Sequence, residues 1–218
     1  MATKSATQVK EVENELSTKV NIGIEIDRSD IEIPRINVSQ KMSQGDAPVG
    51  SIVFDRKHVV AGPSETIAAV AVVAQKGWRE NIPFDEDEVP RIAWSKEESE
   101  AISDDSEYQM TEFAEITLLL RQPEGNDDET AFSLVIGDNR YALGKINVGK
   151  AAYRTTYKIL ATSAAFNPNT PICARVWNFV SEEFSKGKYT WFNPSLTATT
   201  EETDEAVLEF IKNFGGEL

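Results

Sequence analysis

The stretch that decides the fold is ICARVWNFVSEEFSKGKYTWF, residues 172–192. Two runs rich in β-branched and aromatic residues, 172–181 and 188–192, lie on either side of a turn at 184–187. Gly187 supplies the positive φ that such a turn needs. The sequence therefore predicts a β-hairpin near the end of the chain.

The elements before and after this hairpin indicate the fold of the chain. Asn147 is a suitable N-cap for a helix from residue 148 to about residue 165, which Asn167-Pro168 ends. Further candidates are strands at 51–54 and 65–74, which we expect to pair, strands at 113–120 and 131–136 on either side of an acidic hairpin loop, and an amphipathic helix at 204–213.

This order predicts a mainly β protein with one or two helices. A helix between the third and fourth strands is typical of a five-stranded oligonucleotide/oligosaccharide-binding (OB) barrel. We therefore expect an OB-fold-like barrel with an acidic insertion and a C-terminal helix. A sandwich or an α+β layout would give similar local patterns.

The net charge of −14 is concentrated in one part of the 218 residues. Residues 80–131 hold 17 carboxylates against 3 cations, whereas 35–79 and 132–200 carry net charges of +3 and +5. The acidity of the whole chain therefore does not exclude a nucleic-acid partner, although phosphate contacts require Lys and Arg. The predicted organisation is a flexible arm (1–32), a single domain (33–200) with an acidic excursion (80–130), and an acidic C-terminal helix or tail (201–218).

Several classes of protein are excluded or disfavoured by composition. No window approaches about 18 uncharged apolar residues, and the N-terminus lacks the apolar stretch of a signal peptide, so we expect a cytoplasmic protein without a membrane partner. One cysteine (Cys173) and one histidine (His58) cannot form a disulfide framework or a Cys/His zinc site.

The alternative interpretation is an enzyme, a metal-dependent nuclease. It is based on the acidic runs at 85–88, 104–105 and 127–129. Consecutive carboxylates cannot all converge on one ion, so a solvated acidic loop is the better interpretation. We expect no catalytic residue, no metal and no cofactor.

Cations and aromatic residues are interleaved in the helix and the hairpin, as in proteins that hold single-stranded nucleic acid by stacking bases and tracking phosphates. In the helix, Lys150, Arg154 and Lys158 form a stripe at i, i+4 and i+8, beside a face formed by Tyr153, Tyr157 and Leu160. The alternatives are a solvated helix face and a hairpin whose aromatic residues Trp177, Phe179 and Trp191 belong to the core. The predicted nucleic-acid-binding residues are Arg35, Lys57, Trp78, Arg79, Arg140, Tyr141, Lys150, Arg154, Lys158, Arg175, Trp177, Lys186, Lys188, Tyr189 and Trp191.

Three segments carry a resemblance to a known family. Residues 174–192 with the acidic helix after them, the Pro-Arg motif IPRINVSQKMS at 33–43, and VGSIVFD at 49–55 resemble a bacteriophage family described as single-stranded DNA-binding proteins. The resemblance extends over roughly residues 33–214. It implies binding without sequence specificity in phage DNA replication or recombination, on an OB-type barrel in the host cytoplasm. It also implies that Trp177, Lys186, Lys188, Tyr189 and Trp191 lie near the DNA.

The sequence thus favours a non-catalytic protein whose partner is single-stranded DNA. Replication proteins recruited through the acidic C-terminus and a second copy of the chain are further expected partners. The alternative function is that of a phage virion structural or assembly protein, decorating a capsid or associated with a tail, for which an acidic β-rich fold is equally suitable.

Overall fold

A computed structural model describes residues 31–43, 45–83 and 85–215 of the protein. Ile33–Leu218 pack together as one unit. The predicted arm, residues 1–32, lies almost entirely outside the described residues. Within the described ranges, no helix combines the length and the apolar character needed to cross a membrane.

The elements are mostly antiparallel strands, five of them long. In chain order they are β1 (Ile36–Val38), β2 (Ile52–Phe54), β3 (His58–Ala61), β4 (Thr66–Glu80), β5 (Ile92–Ala93), α1 (Lys96–Asp105), β6 (Met110–Arg121), β7 (Leu134–Ile136), β8 (Asn139–Gly149), α2 (Lys150–Thr155), α3 (Tyr157–Phe166), a 3₁₀ turn (Ile172–Ala174), β9 (Arg175–Lys186), β10 (Tyr189–Glu202) and α4 (Glu205–Gly215).

The large sheet has the strand order β10-β9-β4-β6-β8-β7, and β1-β2-β3 form a separate small sheet. Strand β4 is the centre of the large sheet, with β6 along one edge. Two strands share the other edge of β4. Strand β9 pairs with the beginning of β4, where Ala69 is opposite Trp177, and β5 pairs with the end of β4, where Trp78 is opposite Ala93. Among the described residues, neither sheet closes into a barrel.

Apolar side chains cover both faces of the large sheet. On one face, alternate residues of β4 such as Ile67 and Ala69 pack with the small sheet, α2 and α3. On the other face, Val70 and Val72 pack against α4 through Val207 and Ile211. The alternation of the strand explains both layers, because successive side chains point to opposite faces.

The segment before and after β1 joins the two distant strands β8 and β10. The backbone N–H of Lys145 in β8 donates to the carbonyl of Pro34 (2.8 Å). The side chain of Gln40 binds β10, since its Nε2 donates to the Phe192 carbonyl (2.7 Å) and its Oε1 accepts from the Phe192 N–H (3.0 Å). The close approach of β1 requires glycine in β8, because a Cβ on Gly144 would lie 2.7 Å from Cγ1 of Ile36.

The structure confirms the mainly β class, the C-terminal hairpin and the terminal helix, which packs on the sheet. Two pairing predictions are wrong. Residues 52–54 pair with β1 and β3 rather than with the strand at 66–80, and β6 pairs with the unpredicted strand β8 rather than with β7. The acidic segment 122–133 therefore leads from β6 into short β7, which pairs with β8.

The predicted helix at 148–165 is interrupted. Its backbone leaves helical geometry at Thr156 (φ −126°, ψ −80°), so α2 and α3 are separate segments. The buried Oγ1 of Thr156 donates to the carbonyl of Ala152 (2.6 Å) and is satisfied at the break. The predicted aromatic face is retained, because the rings of Tyr153 and Tyr157 stack 5.0 Å apart and Leu160 is buried.

Candidate nucleic-acid interface

The β9–β10 hairpin carries a row of aromatic and basic side chains on one face near its tip. Its turn places Lys186 opposite Tyr189 and Phe184 opposite Trp191. Residues two apart in a strand share a face, so these four side chains lie on the same side of the hairpin. The rings of Phe184 and Trp191 stack with centroids 6.3 Å apart and planes 19° apart. We call these four residues and Lys188 in the turn the hairpin tip.

The hairpin tip is accessible and positively charged. Tyr189 is 67% exposed, and Lys188 Nζ lies 5.5 Å from its ring centroid. Lys186 and Lys188 are exposed, and neither forms an ion pair with a carboxylate among the described residues. Aromatic rings with lysines beside them can stack bases and neutralise phosphates.

Two of the predicted binding aromatics belong to the core. Trp177 has no exposed surface, and its indole N–H donates to the Ile172 carbonyl (2.9 Å). Tyr141 is also buried, and burial raises the pKa of its hydroxyl. Neither ring can stack on a base, so these two site predictions are wrong. Both side chains lie in the apolar layers of the sheet, where pairing with β4 and with β6 places them.

The predicted basic stripe is exposed, although the helix that carries it is broken. Lys150, Arg154 and Lys158 have exposed side chains and no ion pair with a described residue. Lys158 Nζ lies 6.0 Å from the ring of Tyr153. Lys150 begins α2 with a positive φ of 54°, a conformation that residues other than glycine rarely adopt.

The remaining predicted site residues do not form one cluster with the hairpin tip. Trp78 and Arg79 are successive residues of β4 and so point to opposite faces; Arg79 lies 5.9 Å from the ring of Phe113. Arg140 pairs with Glu129 at 3.2 Å, and Lys57 approaches Asp55 at 3.7 Å. Arg175 is half-buried at the start of β9.

Arg35 lines a groove of about 230 Å³ between the edge of β8 and β10. Asn37, Lys145 and Asn147 also line it. Lys145 approaches Glu115 at 3.5 Å, so Arg35 is the cation of this groove that has no ion pair with a described residue. The groove is polar and opens to solvent where the edge of β8 faces β10.

Phe184 is a site residue that sequence reasoning missed. The prediction assigned it to the turn, whereas the turn consists of Gly187 and Lys188 and the strands extend to Lys186 and from Tyr189. Counting backwards from a two-residue turn places Phe184 opposite Trp191, so the signal was present in the sequence.

The acidic excursion is an ordered lobe at the opposite end of β4. Residues 85–109, which we call the acidic lobe, contain β5 and α1. Buried Glu80 anchors the lobe by accepting hydrogen bonds from the Arg91 N–H (2.7 Å), Arg91 Nε (2.9 Å) and Ser106 Oγ (2.5 Å). These bonds, led by that of the Arg91 guanidinium, lower the pKa of Glu80 to about 2.

Within the described residues, no three His, Cys, Asp or Glu side chains are grouped as a metal site would require. The single histidine contacts a carboxylate, with His58 Nδ1 lying 2.7 Å from Asp128 Oδ2. Burial raises the pKa of the Cys173 thiol, which disfavours a reactive thiolate. Comparison of the chain with protein families, with curated proteins and with solved structures finds no match.

Proposed function

We propose that this protein binds single-stranded DNA without sequence preference and without catalysis, and that the hairpin tip is its contact surface. One observation carries the proposal: a stacked Phe184–Trp191 pair lies on the same face as exposed Tyr189 and beside two lysines that form no ion pair with a described residue. Each stacked base contributes about 1–3 kcal/mol in proteins of this type, and lysines follow the phosphates.

The connectivity of the sheet supports the same function. Counted from β4, the five long strands are β4, β6, β8, β9 and β10, and α2–α3 lie between the third and the fourth. This is the order of an OB barrel, in which the loops between the first and second strands and between the fourth and fifth strands contribute to ligand binding. Here the second of these loops is the hairpin tip, and the first contains the acidic lobe. We infer an OB-like sheet whose seam, between β8 and β10, is bridged by residues 34–40 instead of by direct strand pairing.

The charge distribution favours one side of the molecule for DNA. The loop between the first two of these strands contains the acidic lobe, which repels phosphate. A DNA strand would therefore follow the hairpin side. The resemblance to phage single-stranded DNA-binding proteins suggests a role in phage replication or recombination in the host cytoplasm, with replication proteins recruited through the acidic C-terminus.

Reversing the two lysines of the tip tests this proposal. Lys186→Glu with Lys188→Glu should weaken binding to oligo-dT by about tenfold or more and reduce the slope of log K against log salt by about 1.4, because two phosphate contacts are lost. Fluorescence anisotropy at several salt concentrations measures both. Lys212→Glu, at an exposed lysine of α4, is the control for charge reversal away from the hairpin tip and should change the slope little.

Trp191→Ala in the same assay should weaken binding by about 5- to 150-fold, as expected for one lost stacking partner. Trp191→Phe keeps a ring and should retain most of the affinity. If oligo-dT does not bind the wild-type chain at low salt, the proposal is wrong, and a structural role in the virion becomes the better interpretation. If Lys212→Glu weakens binding as much as the hairpin variant, the hairpin tip is not the site.

A further inference from the structure

Helix α3 is an apolar helix that the described part of the chain hardly covers. Leu160 is its one buried residue, whereas Ile159 is 39% exposed and Phe166 is 81% exposed. These two exposed residues are seven positions apart, which is two helical turns, so they share one side of the helix. Helices this short are marginal in water and depend on packing of their apolar face. In α4, by contrast, Val207 and Ile211 are buried against the sheet.

The sequence on both sides of this helix is basic. Residues 139–181 contain six cations and no carboxylate. The nearest cations along the chain are Lys158 in α3 and Lys150 and Arg154 in the adjoining α2, all of them exposed. We call these three cations, with Ile159 and Phe166, the basic–apolar surface. A partner for it needs negative charge and exposed apolar side chains together.

The acidic lobe has that combination. It contains ten carboxylates and two cations, and its exposed apolar side chains include Val89 (87% exposed), Ile92 and Trp94. Glu88, Asp105 and Glu107 line a cavity of about 430 Å³ with Tyr108. Arg91 lines the same cavity. Burial and the nearby Glu88 and Glu86 carboxylates raise the pKa of Tyr108.

The acidic lobe is also held in place, so a partner would meet a preformed surface. The hydrogen bonds of Glu80 fix Arg91 and Ser106 at its two ends, and Arg91 also pairs with Asp105 at 2.9 Å. The ring of Trp94 packs on that of Phe113 with centroids 5.2 Å apart. Preorganisation of this kind lowers the entropic cost of binding.

We propose that the basic–apolar surface of one copy docks onto the acidic lobe of a second copy of this chain. The two surfaces are complementary in charge, and each exposes apolar side chains whose burial would drive the contact. The contact does not depend on DNA, so it stands or falls separately from the proposed function.

Two charge-reversal variants of the full chain test the docking. Arg154→Glu with Lys158→Glu reverses the basic–apolar surface, and Glu88→Lys with Glu107→Lys reverses the acidic lobe. Sedimentation velocity without DNA should show concentration-dependent association of the wild type at low salt, weakened at high salt. Each variant alone should associate at least about tenfold more weakly, because like charges then face each other.

An equimolar mixture of the two variants is the decisive sample, since each retains the surface that the other has lost. The mixture should associate about as strongly as the wild type.

Phe166→Ala should also weaken association, whereas Val135→Ala, at an exposed valine of β7, should not. The proposal is overturned if the wild type is monomeric at low salt up to the highest soluble concentration. It is equally overturned if mixing does not restore association, because α3 would then contact something other than the acidic lobe.

Discussion

The hairpin tip and the acidic lobe are placed at opposite ends of the same edge of β4, and they use their cations in opposite ways. In the lobe, Arg91 pairs with Glu80 at 2.8 Å and Lys96 with Glu100 at 3.3 Å. In the tip, Lys186 and Lys188 have no carboxylate partner among the described residues. A cation that pairs with a carboxylate of its own protein is already neutralised. A cation without such a pair can exchange counterions for phosphate. The pairing of each cation therefore says more about function than the net charge of −14.

The largest difference in stability is expected within the hairpin, which has Trp177 at its open end and Trp191 near its turn. Trp177→Ala should lower the free energy of unfolding by about 3–5 kcal/mol, because it empties a fully buried site. Trp191→Ala removes a half-buried ring that stacks on Phe184, and should cost about 1 kcal/mol. Urea denaturation of both variants measures the difference. Equal losses would show that both tryptophans are core residues and would remove Trp191 from the proposed site.

An intermediate effect is expected where the lobe is anchored. Glu80→Gln removes the charge that pairs with the Arg91 guanidinium and turns one of the two acceptor oxygens into a donor, so the lobe should lose its order while the sheet stays folded. Amide hydrogen exchange should show loss of protection confined to residues 85–109. Glu124→Gln, at an exposed carboxylate outside the lobe, is the control. Loss of protection throughout β6 would instead mean that Glu80 stabilises the whole domain.

The same anchor predicts a dependence on pH. The pKa of Glu80 is lowered to about 2 from an ordinary value of 4.5. A lowered carboxyl pKa stabilises the folded form above the unfolded pKa, and that stabilisation is lost as the pH falls through the folded one. Protection of the lobe should therefore persist at pH 4 and disappear between about pH 4 and pH 2.

The smallest effect is expected at the pair between His58 and Asp128, which joins β3 to the segment 122–133. Hydrogen bonds from the Ala131 N–H and from His58 lower the pKa of Asp128. Its contribution to stability is thus present at neutral pH and is lost in acid. Asp128→Asn should reduce the urea midpoint at pH 7 and have little effect once the wild-type carboxyl is protonated. Asp127→Asn is the neighbouring control, and an equal loss there would contradict a specific pair.

Elements defined by local pattern could be predicted from the sequence, and those defined by distant contacts could not. Strand β4, the hairpin and α4 have clear periodicity. Strand β8 (Asn139–Gly149) was missed because Gly144 is atypical of a strand and Asn147 was interpreted as the N-cap of a helix from residue 148, whereas residues 147–149 belong to the strand. The glycine is required by the packing of Ile36, which is far away in the chain. Helix α1 has few apolar residues, yet its start could have been recognised, since Ser95 Oγ accepts from the Glu98 N–H (3.1 Å) at the spacing of a capping box.

The same distinction holds for the candidate site. Lys186, Lys188 and Tyr189 could be predicted because their exposure follows from their position beside the turn. Trp177 could not be separated from Trp191, because its burial depends on its register with Ala69 of β4. Residue type indicated where aromatic rings occur, but long-range strand pairing decides which of them a ligand can reach.

The contact of Gln40 with Phe192 has a consequence for solubility. A free strand edge is a template on which a strand of another molecule can add, and such edges lead to aggregation. The side-chain amide of Gln40 presents one N–H and its carbonyl oxygen to the backbone of β10, as a neighbouring peptide group would. One glutamine thus imitates a neighbouring strand and blocks cross-molecular strand addition at that position of the sheet.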